Sequence, residues 1–206
     1  MEMSTILLAH GYAMAPDQHW YPWLGEELST AGHTVVVPPL PDAAAPDPDA
    51  WHKVLLAAAD AAPADTVLVG HSLGGVSLLR LLQEHDTERH GAYRGLVLVA
   101  SMAGEVGYDQ LAGFFHPAFD WARIRAAAGT VRALHAADDP VTGAATPQHI
   151  MDFATRLGAE VIVTPDGGHF PTVGESRTEL RHALELVRSL AEGRSHASGA
   201  ERGDTK

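Results

Sequence analysis

Cysteine is absent from the chain of 206 residues. Disulfides, thiolate metal sites and a thiol nucleophile are therefore excluded, and the composition suits a reducing compartment. Basic residues are scarce as well: Lys and Arg number 14 against 26 Asp and Glu, for a formal charge of -12 at pH 7. Such a surface repels phosphate backbones and anionic lipid headgroups, so neither nucleic acid nor a membrane is expected as a partner. Long apolar runs are missing. The first residues offer only Ile6 to Ala9, too short for a secretion leader or a membrane span, and a cytoplasmic location is the expectation. No G-x-x-x-x-G-K-[ST] or G-x-G-x-x-G segment is present to cradle a phosphate, and no H-E-x-x-H or calcium loop gathers ligands. Despite 13 histidines, neither a metal nor a cofactor is expected.

What remains is an ordinary globular composition, 46% hydrophobic and 19% charged, of a length that suits one domain. Short β-rich apolar runs recur at Ile6-Ala9, Thr34-Val37, Thr66-Val69, Leu96-Ala100, Val131-Leu134 and Val161-Thr164. They lack polar alternation, as strands buried on both faces do. Helical patterns lie between them. Asp47 and Pro48 open one that carries Trp51, Val54, Leu55 and Ala58 on a single face. Thr146 and Pro147 open another, through Ile150, Phe153, Ala154 and Leu157 to Gly158. Ser176 is expected to cap the last, a stripe of Leu180, Ala183, Leu184, Val187 and Ala191 that ends at Gly193. This alternation predicts an α/β domain over residues 1–192: a doubly wound parallel sheet of about six strands with helices on both faces. The segment from Gly193 to Lys206 has no apolar periodicity and is expected to be a disordered tail. The irregular stretch from Ser101 to Gly129, rich in aromatics, suggests a minimal cap over a pocket.

Chemistry concentrates at three turns. Gly70-His71-Ser72-Leu73-Gly74 stands between a strand and a helical run, the G-x-S-x-G arrangement in which a strained turn aims a serine hydroxyl outward. A serine needs a base, and a carboxylate to orient that base. The order expected on this fold is Ser, acid, His. Asp138-Asp139 follows the fifth strand and His169 the sixth, both at the sheet edge that carries Ser72. His169 alone among the histidines leaves a core strand by a short Gly-rich loop and is expected to precede a new helix. Asp139 is read as the acid; Asp138 is the alternative, otherwise holding the turn through backbone amides. The His10-Gly11-Tyr12 turn should face the serine, with the N–H groups of Tyr12 and Leu73 as oxyanion donors. His10 and His71 are expected to support these turns. Tyr12, Trp20, Phe114, Phe115 and Trp121 are candidates for an apolar substrate wall, with plain core packing as the alternative for each.

The landmarks together resemble the retinoblastoma-binding protein nine-like (YdeN-like) serine hydrolases, compact single-domain proteins of the α/β-hydrolase fold. They are the His10-Gly11 turn, His19-Trp20-Tyr21-Pro22-Trp23-Leu24, Leu40-Pro41-Asp42, the serine turn, Ala112-Gly113-Phe114-Phe115 with Trp121, Asp138-Asp139-Pro140 and Gly168-His169-Phe170. The resemblance spans about Ser4 to Ala191 and implies the triad Ser72, Asp139 and His169 and a minimal cap. The family often continues Asp-Pro with two residues and a second proline, whereas Val141-Thr142-Gly143 follows Pro140 here. The pocket-protein partner in the family name is not carried over, because a Leu-x-Cys-x-Glu type of motif needs a cysteine.

The expected activity is hydrolysis of a small carboxylic ester, or an amide, through an acyl-Ser72 intermediate, as in carboxylesterases. The same triad serves acyl transfer or natural-product tailoring equally well, and a non-catalytic binding protein on a hydrolase scaffold is the rival from another class. The small-molecule ester or amide is the only partner the residues point to.

Overall fold

The computed structural model describes residues 3–59, 62–172 and 174–193; the expected tail lies outside them apart from Gly193. Six strands, β1 (Thr5–Ala9), β2 (Thr34–Val36), β3 (Thr66–His71), β4 (Gly95–Val99), β5 (Thr130–Ala136) and β6 (Glu160–Thr164), form one sheet. Their order is β2-β1-β3-β4-β5-β6, and every pairing is parallel. The expected doubly wound architecture is therefore present. Burial on both faces explains why β1, β3, β4 and β5 read as continuous apolar runs, whereas β2 and β6, at the edges of the sheet, are partly exposed despite theirs. Ile6 and Leu8 point into one core with Val67, Val69, Val97 and Val99, whereas Leu7 and Ala9 join Leu68, Leu96 and Leu98 in the other.

Helices α1 (Tyr21–Thr30) and α7 (Arg181–Ala191) cover the first face. The second is covered by α2 (Pro48–Ala58), α3 (Leu73–Glu84) and α5 (Trp121–Ala128), with the short α4 (Thr87–His90) beyond α3. Helix α6 (Thr146–Asp152) continues through a wider turn, Phe153–Leu157, whose Phe153 and Leu157 enter the same core. Asp47 caps α2 by accepting the Ala50 N–H at 2.8 Å, with Pro48 in the first turn, as its sequence signal requires. Gly158 ends the α6 turn in the left-handed conformation at φ 69°.

Two helix starts differ from expectation. Ser176 does not cap α7: the chain stays irregular until Leu180, which is buried beside the helix start. Thr146 is the first residue of α6 rather than its cap, because its hydroxyl donates backwards to the Gly143 carbonyl at 2.8 Å. The cap is smaller than the aromatic stretch suggests. Regular structure in that stretch is limited to the 3₁₀ turn Asp109–Phe115 and α5, and both pack against α3.

The chain leaves β1 towards β2 and then crosses back to place β3 on the other side of β1. Strand order thus reverses between β1 and β3, whose register brings Ala9 opposite Gly70. Their carboxyl ends open the crevice where ligands bind in such sheets. Helix α3 starts directly behind this point, and close approach is possible only without side chains. A Cβ on Gly74 would collide with the carbonyls of Ala9 and His10, and one on Gly70 with the backbone of Gly75.

The core also holds imidazoles. His135, at the end of β5, stacks on Phe153 at 5.9 Å, and among the described residues neither of its ring nitrogens has a partner. Burial pushes its pKa down to about 4, with neighbouring His149 adding to the effect. His71 is likewise pushed down to about 3, chiefly by burial.

Two outcomes follow from this packing. Gly74→Ala should lower stability in urea unfolding by about 1–3 kcal/mol or more, as overpacking against rigid backbone does. Gly104→Ala, where a Cβ meets nothing within 4 Å, is the neutral control. Both buried histidines stay neutral in the folded chain and take up a proton on unfolding below pH 6.5, so stability is full above that pH and falls as acid is added. At about pH 5 each should have cost about 2 kcal/mol, at about 1.4 kcal/mol per unit. A melting temperature that is flat between pH 7 and pH 5 would overturn this account.

Candidate active site

Ser72 sits at φ 52° and ψ -123°, a left-handed backbone held by bonds on both sides. Its N–H donates to the Val99 carbonyl at 2.8 Å, and its carbonyl accepts from the Ser101 hydroxyl at 3.1 Å. The end of β4 therefore grips the turn, and the strain is borne by sheet contacts. The side chain is thrown to the carboxyl edge of the sheet. Helix α3 begins at the next residue, so the positive end of its dipole faces the hydroxyl.

His169 arrives from the loop after β6. Its Nε2 lies 2.7 Å from Ser72 Oγ, and its Nδ1 lies 2.8 Å from Asp139 Oδ2. With a carboxylate behind it, Nδ1 carries the proton, and Nε2 presents its lone pair to the serine. All three side chains are buried. Burial alone would push the Asp139 carboxyl up, but the His169 bond and charge, together with the amides of Val141 and Thr142 donating to Oδ1, outweigh it and hold the pKa below the usual value. The residues after Pro140 thus seat the carboxylate by their backbone. Asp138 points elsewhere and is exposed: its Oδ1 accepts the Gly168 N–H at 2.8 Å, tying the β5 loop to the β6 loop. No helix follows His169 directly. The chain turns at Phe170, whose ring is buried beside Gly167, and reaches α7 only at Arg181.

The turn after β1 meets the serine, as its place beside β3 requires. A Cβ on Gly11 would stand 3.3 Å from that of Ser72. The N–H groups of Tyr12 and Leu73 are without a protein acceptor among the described residues. His10 supports this turn: its Nε2 accepts from the Leu40 N–H at 3.0 Å, and its Nδ1 faces the Gly11 carbonyl.

A cavity of about 130 Å³ opens above Ser72 and His169, walled by Tyr12, Met14, Met102, Leu111 and Val141, with Tyr108 and Gln110 at its mouth. Of the five aromatics expected there, only Tyr12 lines it. Phe114 packs edge-on against Trp51 at 5.5 Å, and Phe115 and Trp121 both lean on Phe119. These rings fill the space between α2, α3 and α5, which the small cap leaves no other element to fill. Trp20 is fully buried beneath the His169 loop, where its Nε1–H donates to the Phe170 carbonyl at 2.7 Å. Sequence reading missed Met14, Met102, Leu111 and Val141. Apolar residues in irregular segments carry no periodicity by which to single them out.

Among the described residues no group of three or more His, Asp or Glu could hold a metal ion, and no helix is long and apolar enough to cross a membrane.

Against this geometry the comparisons are consistent. The chain is 26% identical over 166 residues to the hydrolase YdeN of Bacillus subtilis, which covers 80% of this chain and 85% of that protein. It is 25% identical over 127 residues to the serine hydrolase RBBP9 of Rattus norvegicus, which covers 61% of each. The crystal structure of the Bacillus subtilis ydeN gene product superimposes with a TM-score of 0.82, at 25% identity, over 92% of this chain and 99% of that one. Residues 6–177 match the serine hydrolase family, and the chain belongs to it as a hydrolase of the YdeN and RBBP9 kind.

Proposed function

We propose that the protein hydrolyses small carboxylic esters, or amides of similar size, through an acyl-Ser72 intermediate. The observation that carries this reading is the unbroken chain Ser72 Oγ, His169, Asp139, with bonds of 2.7 and 2.8 Å, opening on an apolar cavity. Ser72 Oγ attacks the substrate carbonyl while His169 Nε2 takes its proton. Asp139 stabilises the imidazolium that forms. The carbonyl oxygen, now negative, is received by the N–H groups of Tyr12 and Leu73, each donor of this kind contributing about 2.7–4 kcal/mol. As the tetrahedral adduct collapses, His169 returns the proton to the departing alcohol or amine. Water then attacks the acyl-enzyme, with His169 again as base, and the acid leaves.

The cavity supports a limit on the acyl group. It is smaller than the clefts of about 300–1,000 Å³ that hold drug-sized ligands. Each buried methylene gains about 0.8 kcal/mol only while space remains. The walls of Leu111, Met102 and Val141 therefore favour short or medium chains.

A fluorophosphonate probe should label the wild type at Ser72, and Ser72→Ala should abolish both labelling and ester turnover with the fold intact. Asp139→Asn is expected to lower kcat by about 10⁴-fold, because the imidazole loses its orienting charge. Asp138→Asn keeps an acceptor for the Gly168 N–H and should retain most of the rate; a reversed ranking would move the acid to Asp138. Across p-nitrophenyl esters, kcat/KM should rise over the first few acyl carbons and then fall. A steady rise to palmitoyl would sink the size limit, and labelling without turnover of any ester would point to transfer onto another acceptor.

A further inference from the structure

Beneath the triad lies a second set of polar side chains that the reaction does not use. Trp20, Tyr21 and His71 are all fully buried, with Trp20 and Tyr21 ring centroids 4.7 Å apart and those of Tyr21 and His71 5.9 Å apart. His71 Nε2 lies 2.7 Å from the carbonyl oxygen of His169, and its Nδ1 lies 2.6 Å from the Tyr21 hydroxyl. The Gly11 N–H reaches the same hydroxyl oxygen at 3.3 Å.

Proton bookkeeping leaves one arrangement. A carbonyl only accepts, so Nε2 of His71 must carry the hydrogen. Nδ1 of the neutral ring is then an acceptor, and the Tyr21 O–H donates to it. The Tyr21 oxygen in turn accepts from Gly11. Met14 Sδ, 3.0 Å from that hydroxyl, is a weak acceptor and does not outcompete the ring nitrogen. Protonation of His71 would place a second hydrogen against the hydroxyl, and burial disfavours that form.

The direction of these bonds matters because of what stands at each end. At one end is the backbone carbonyl of the base itself, and the next carbonyl along, that of Phe170, is held by Trp20 at 2.7 Å. At the other end is Gly11, the residue before Tyr12 and 3.3 Å from Ser72 by its would-be Cβ. We infer that Trp20, Tyr21 and His71 are positioning residues: a buried relay that holds two successive carbonyls of the His169 loop and the Gly11-Tyr12 oxyanion turn in one register with Ser72. This rests on the proposed function, since it concerns the placement of the same base and oxyanion donors. It goes beyond core packing because the bonds end on the two loops that must move together with the serine, and on their backbone rather than their side chains.

The test compares wild type, Tyr21→Phe, Trp20→Phe, His71→Gln and His71→Leu on a short p-nitrophenyl ester. The kcat is normalised to active sites titrated with the fluorophosphonate probe, so that unfolded protein is not counted. Tyr21→Phe and Trp20→Phe should lower kcat by about ten- to a hundredfold, the scale of a 1 Å misplacement, with KM unchanged. Glutamine keeps an N–H for the His169 carbonyl and leucine does not, so His71→Gln should retain at least about tenfold more kcat than His71→Leu. A melting temperature that drops while kcat per titrated site stays at the wild-type value in Tyr21→Phe and Trp20→Phe would overturn the positioning role. Glutamine and leucine variants of equal kcat would overturn it too. A wild type that neither labels nor turns over ester fails the proposed function instead, and is thereby distinguished from a failure of the relay alone.

Discussion

The site depends on how near the backbone of β1, the backbone of β3 and the first turn of α3 come to one another. Ser72 occupies a left-handed conformation, and the chain can turn that sharply only where Gly70 and Gly74 leave room for opposing carbonyls and amides. The same approach delivers Gly11 to Ser72 and puts the β1 turn beside the serine. A methyl group at Gly74 would separate helix from strand and shift Ser72 away from His169. Geometry at Ser72 is thus set by close backbone contact.

The position of Ser72 means little unless the histidine loop is equally well defined. Among the described residues, that loop has neither helix nor strand between β6 and α7. It is held from three directions: Asp138 on the Gly168 amide, His71 on the His169 carbonyl and Trp20 on the Phe170 carbonyl. Three consecutive residues each have a backbone group taken by a side chain from a different element. This satisfies polar backbone that a loop would otherwise leave unpaired, and it ties the His169 loop to the rigid sheet.

Most of the architecture was legible in the sequence because its signals are local. Buried parallel strands read as apolar runs, Asp47-Pro48 reads as a helix start, and the serine turn declares itself through its glycines. Chain order then pointed to the β5 and β6 loops. The misreadings came where the deciding contact is distant. Trp20 looked like a pocket wall because nothing near it in the chain shows that its indole meets a carbonyl 150 residues away. Phe114, Phe115 and Trp121 looked alike for the same reason, although core filling claimed them all. Ser176 carried a capping residue's chemistry, but the packing of Leu180 sets where α7 begins. Adjacent Asp138 and Asp139 illustrate the limit well. Their sequence environments are nearly identical, and only the direction each side chain leaves the turn separates one that meets an imidazole from one that meets an amide.

The imidazoles near the sheet edge show the same principle applied to protons. His169 and His71 lie 5.6 Å apart, and His135 stands across from them at the end of β5. Composition makes them equivalent; what each ring nitrogen faces does not. His71 has both nitrogens engaged by neutral partners in a dry setting, so its proton is fixed on Nε2 and it has no capacity to exchange one. His135 is buried with no partner for either nitrogen among the described residues, and burial, with His149 adding to it, disfavours its charge. His169 differs from both: it has a carboxylate at one nitrogen and a hydroxyl beside an open cavity at the other. Of the three, only His169 has a carboxylate oxygen within hydrogen-bond distance of a ring nitrogen. Of these three imidazoles, only His169 has a carboxylate at one ring nitrogen and the serine hydroxyl at the other, the pairing that the proposed reaction requires.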